Sequence, residues 1–136
     1  MIEVKTHIKQ WVVFWYFFVD NLCQDKILSR LKSVGASDSV VEKASEKMRN
    51  GRKNEGFTYS NLSKKKSVVV IGESTNGGEF LNSFSHELRH LADDISSYYG
   101  MIDRGEEVAY LTGELANSVS DIVCLLSCDC CRDGKR

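Results

Sequence analysis

The 136-residue chain carries 18 Lys plus Arg against 19 Asp plus Glu, a formal net charge of −1, and is 42% hydrophobic and 27% charged. These values describe one globular domain, 1–136, long enough to bury a core without disulfides or a structural metal. They argue against a nucleic-acid partner or an acidic membrane surface, because no broad positive field draws the chain to either.

The first apolar run is WVVFWYFFV, Trp11 to Val19. Its nine residues fall well short of the ~20 that a membrane span takes. Lys5 and Lys9 precede it as in a secretory leader, but DNLCQDK follows it with no small-residue cleavage pattern. Aromatic and β-branched residues predict a buried strand, about Ile8 to Val19. A short helix, roughly Cys23 to Ser33, comes next, and VGASDS then breaks the chain. Ser37 or Asp38 can cap a helix over Val40 to Met48, and NGRKNEG ends it.

GFTYSNL alternates Phe57, Tyr59 and Asn61 with Thr58, Ser60 and Leu62, which predicts an edge strand. The basic run Lys64 to Lys66 reads as a solvated turn. SVVVIG is a continuous β-branched run and predicts an inner strand covered on both faces. ESTNGG is a loop that offers Ser74, Thr75 or Asn76 as helix caps. A helix through SFSHELRHLADD follows. A glycine-bounded connection, about Tyr98 to Gly105, leads to a final helix ending near Cys128. The fold class is α+β, with a small mixed sheet.

Four of the five cysteines, Cys124, Cys128, Cys130 and Cys131, crowd the end of that helix. Their spacing matches no zinc-ribbon or knuckle pattern, and adjacent Cys130 and Cys131 do not pair easily. Reduced thiols of a cytoplasmic protein are the expectation, with a second metal site the alternative.

At 100° per residue, Leu81, Phe84, Leu88, Leu91 and Ile95 form one apolar stripe. His86 and His90 fall on the opposite face, with Glu87 at its flank. Two imidazoles one turn apart suit a single Zn2+ ion. Glu87 stands beside that ion without ligating it, placed to take a proton from a water on the metal. A plain solvated helix face is the alternative. Asp94 cannot share the ion, since His86 and Asp94 lie about 12 Å apart along the axis. It reads as an acceptor for a histidine N–H, or as an exposed acid.

The third ligand is expected from DRGEEVAYLTGELANSV. There Val108, Leu111, Leu115, Val119 and Ile122 share a stripe, and Glu106 lies opposite it while Glu107 points to the flank. Asp103 and Glu106 also have the spacing of a capping box. Ligation by Glu106 requires the metal helix to end near Ser96 or Ser97, or the connection to climb back toward His90.

HELRH, and EEVA from Glu106 to Ala109, together resemble the zinc metallopeptidases of the gluzincin type, the group of the thermolysin-like peptidases. The resemblance covers about Phe57 to Asn117. It implies a minimal zincin-like fold with a zinc cofactor, His86, His90 and Glu106 as ligands, and Glu87 as general base. It also implies that an extended peptide or protein substrate pairs with the edge strand around Thr58 and Tyr59. The gap from His90 to Glu106 is shorter than is usual in that group, and Tyr110 replaces its usual aspartate. No oxyanion donor is identified, with Tyr59, Tyr98, Tyr99 and Tyr110 as candidates. The expected activity is zinc-dependent peptide-bond hydrolysis. The alternatives are a catalytically inactive zincin-like metal-binding domain and a metal-free protein-interaction domain.

Overall fold

The aromatic run is the second strand of a hairpin. In the computed structural model, which describes residues 1–50 and 56–132, β1 spans Ile2–Ile8 and β2 spans Trp11–Val19. The expected strand from Ile8 is corrected accordingly: it begins at Trp11, and a further strand precedes it. Ile2, Val4 and Ile8 of β1 pack on the core, while Glu3, Lys5 and His7 are exposed. Lys9 turns the corner with φ +53°. Most of NGRKNEG lies outside the described residues; its Asn50 caps the C-terminus of α2.

The sheet order is β1-β2-β4-β3, with β3 at Phe57–Asn61 and β4 at Lys66–Gly72. β2 and β4 run parallel, and the other two pairs are antiparallel. Among the described residues β3 pairs only with β4, so it is an edge strand as expected. β4 lies between β2 and β3, which is why its sequence is apolar without alternation. A turn at Leu62–Lys65, with Lys65 at φ +54°, joins the two; Lys64 and Lys65 lie in it, and Lys66, expected in the same turn, is instead the first residue of β4.

Helices α1 (Gln24–Ser33) and α2 (Asp38–Arg49) cover one face of the sheet. Ile27, Leu31 and Ala44 there meet Phe14, Tyr16, Val68 and Val70. Ser37 is the cap of α2, its side chain accepting from the Val40 N–H. The other face carries Trp11, Val13, Trp15, Phe17, Val69 and Ile71, and meets the long helix α3 (Gly77–Tyr99). The result is an α+β fold with a small four-stranded mixed sheet and, among the described residues, six α-helices. Among the described residues no helix is long and apolar enough to cross a membrane.

Asn76 is the cap of α3, accepting from the Glu79 N–H, and Gly100 ends the helix at φ +67°. Phe84, Leu88, Leu91 and Ile95 are buried as expected. Leu81 is not: it is 42% exposed, and Phe80 takes its place at 1%. The buried face is therefore rotated toward residue 87. Beyond Gly100, α4 (Glu106–Ser118), α5 (Ser120–Ser127) and α6 (Asp129–Arg132) return along α3. The expected single helix is broken at Val119, whose φ and ψ are −121° and 20°. Just before the break, the Ser118 hydroxyl donates to the Leu115 carbonyl instead of leaving the turn to backbone bonds alone.

Candidate functional site

The opposite-face placement of the histidines holds. His86 and His90 are both exposed on α3, and their rings meet edge to face with centroids 4.8 Å apart. Their Nε2 atoms lie 3.2 Å from each other. Two nitrogens bound tetrahedrally to zinc at 2.0–2.1 Å stand about 3.3 Å apart. The pair thus has the separation of two ligands of one ion, although one neutral imidazole donating to the other gives a similar distance.

Glu87 sits differently from its expected flank position. It is 6% exposed, because the rotated apolar face of α3 carries it under β3. Thr58 Oγ1 donates to Glu87 Oε1 at 2.9 Å and also lies 3.3 Å from the Glu87 carbonyl. Gly56, at the entry to β3, closes the other side. A Cβ on Gly56 would stand 2.0 Å from the Val70 carbonyl oxygen and 3.4 Å from Glu87 Cγ. The carboxylate is thus held by one hydroxyl in a slot that a larger residue at 56 would close.

The Thr58 side chain is thus engaged by Glu87. Tyr59, one residue on, packs with the cluster under α1 and α2, on the sheet face away from the histidines. Among the described residues the outer backbone edge of β3 has no strand partner.

Asp94 is also placed otherwise than expected. Its Oδ2 accepts from Ser60 Oγ at 2.7 Å. Ser60 Oγ lies 2.7 Å from Ser67 Oγ, which in turn lies 2.9 Å from Trp11 Nε1. An indole N–H only donates and a carboxylate only accepts, so each hydroxyl proton has one direction: Trp11 to Ser67 to Ser60 to Asp94. The chain ties β2, β4 and β3 to α3 one helical turn beyond His90. The alternation of GFTYSNL puts Thr58 and Ser60 on one face, so the sequence held the signal for both contacts. Asp93 is occupied by Arg89 at 3.0 Å.

Glu106 opens α4 and is exposed, opposite the buried Leu111 and Leu115. Gly105 is the N-cap, and no side chain caps this helix end, so the capping box with Asp103 does not form. Nor does α3 stop at Ser96 or Ser97; it runs to Tyr99. The Glu106 carboxylate does not come within 4.8 Å of both imidazole nitrogens. Of the tyrosine candidates, Tyr98 and Tyr99 pack on Trp11 with ring centroids 5.5 and 6.3 Å away, and Tyr110 is 69% exposed.

A second cluster lies at the far end of α3. The sulfurs of Cys128, Cys130 and Cys131 are within 4.8 Å of one another, the one group of three metal-ligating side chains this close among the described residues. The Cys128 thiol is lowered to about 7, first by the backbone N–H of Cys131 and then by the neighbouring thiols. That of Cys130 is pushed up to about 11, first by its hydrogen bond to Cys128 and then by the negative charge there.

No protein-family model, curated protein or solved structure matches the chain.

Proposed function

We propose that the chain is a minimal zincin-like, gluzincin-type peptidase that hydrolyses peptide bonds with a Zn2+ ion at His86 and His90. The observation that carries this reading is the convergence of the two Nε2 atoms at 3.2 Å, with buried Glu87 between them in sequence. The two imidazoles fit the ion. Glu106 is the third ligand that the motif implies; its carboxylate stands apart from the pair while α3 runs to Tyr99, so ligation would require the 100–105 connection to move toward His90. Zinc held there would supply a Lewis acid for the scissile carbonyl and would make a water acidic enough to lose a proton near neutral pH.

The chain's own residues do the rest. Glu87 accepts the proton of the attacking water as the C–O bond forms, and delivers it to the amine nitrogen as the C–N bond breaks. Thr58 holds one carboxylate oxygen and leaves the other to the proton. The unpaired edge of β3 binds an extended peptide through backbone hydrogen bonds. The exposure of both histidines favours an open, shallow site and a peptide or unfolded protein segment as substrate. The proposed setting is cytoplasmic. Cleavage of an unfolded protein, abolished by Glu87→Gln with zinc retained, is the test.

The separation of Glu106 from the histidine pair favours a second reading, a zincin-like domain that holds metal without turnover. It is distinguished by bound zinc with no cleavage by the wild-type chain.

A further inference from the structure

We propose that the turn Cys128–Arg132 is a second metal site, a three-thiolate site for a soft monovalent ion, Cu(I). Three thiolates around one ion at the ~2.3 Å of metal–thiolate bonds stand about 4 Å apart. Cys128 and Cys130 Sγ lie 3.4 Å apart, and all three sulfurs lie within 4.8 Å of one another, which brackets that spacing. No fourth Cys, His, Asp or Glu joins the group among the described residues. Structural zinc sites take four protein ligands, whereas Cu(I) favours thiolates and accepts three.

A short turn could bring three cysteines together by chance, but this one is fastened on both sides. Asp129, between Cys128 and Cys130, accepts from the Gly77 N–H at 2.7 Å, at the positive end of α3. Arg132, after Cys131, donates to Ser74 Oγ at 3.0 Å, to the Leu126 carbonyl at 3.2 Å and to the Ser74 carbonyl. Gly77 permits the approach: a Cβ there would stand 1.9 Å from the Ser127 carbonyl oxygen. The sulfurs are thus presented by a turn whose flanking residues are already ordered, which lowers the entropy lost on binding. Cys131 also borders an open pocket of about 230 Å³ lined by Phe18, Leu125 and Leu126. His86 lies nine residues beyond Gly77 on α3, roughly 13 Å along the axis, so one ion cannot serve both sites.

The test uses the full chain carrying His86→Ala and His90→Ala, reduced and without oxygen, titrated with Cu(I) against a coloured Cu(I) chelator. The expected result is one Cu(I) per chain with ultraviolet thiolate-to-copper absorption. Cys130→Ser should weaken it by at least roughly 100-fold and Asp129→Ala by roughly tenfold, with circular dichroism unchanged. Cys124→Ser and Cys23→Ser should leave it unchanged. Zn2+ binding tighter than Cu(I), an equal loss in Cys124→Ser, or no Cu(I) taken from the chelator would each overturn the assignment. Because both histidines are absent, none of these outcomes depends on the peptidase reading.

Discussion

Thr58 Oγ1 donates to Glu87 Oε1 across 2.9 Å, and this bond joins the edge strand to the buried carboxylate that stands between His86 and His90 in the sequence. Thr58→Val keeps the shape and removes the donor. A hydrogen bond to a charged group contributes about 1.5–3 kcal/mol, so a stability loss in that range is expected by urea denaturation. Zinc content should not change, while cleavage should fall by roughly tenfold or more. Cleavage at the wild-type rate would mean that Thr58 does not position the base.

Gly56→Ala should be more damaging than its size suggests. The new methyl meets the Val70 carbonyl at 2.0 Å, which is backbone and cannot rotate away. β3 must move off β4, and Glu87 loses its slot. Overpacking of this kind costs about 1–3 kcal/mol, so a lowered midpoint in a thermal melt is expected together with reduced cleavage. An unchanged midpoint would show that β3 has more room than its pairing with β4 suggests.

Ser67→Ala breaks the hydrogen-bond chain in its middle. It leaves the buried Trp11 indole N–H without its acceptor and Ser60 without one neighbour. The expected cost is about 1–3 kcal/mol. Ser63→Ala, whose hydroxyl bonds Asn61 on the surface, should cost well under that. Equal effects in the two variants would contradict the directional chain.

Glu106→Gln separates ligation from bystander status. As a ligand, Glu106 should lower zinc affinity when neutralised, by roughly tenfold or more, while Glu107→Gln should not. Equal affinities in wild type and Glu106→Gln, read by competition with a zinc indicator, would remove Glu106 from the ligand set.

The sequence showed the inner and edge strands, the amphipathic α3 and the outward histidines, because each follows from a local period. It hid β1, although Ile2, Val4, Thr6 and Ile8 alternate cleanly with Glu3, Lys5 and His7. Its turn, Lys9–Gln10, has no glycine or asparagine to mark it. The burial of Glu87 was illegible for a different reason. A stripe counted from Leu81 leaves residue 87 at its flank, and only packing against the sheet selects Phe80 instead. The Ser60–Ser67–Trp11 contacts depend on the register of three strands, which no local pattern specifies.

The central claim is tested most directly by zinc content measured alongside cleavage of an unfolded protein, in a Cys128→Ser and Cys130→Ser background so that only the histidine site is counted. The account predicts about one zinc per chain in that background and in its Glu87→Gln derivative, with cleavage only in the former. His90→Ala should hold almost none. Zinc lost equally from Glu87→Gln and His90→Ala, or absent from all three, would contradict it.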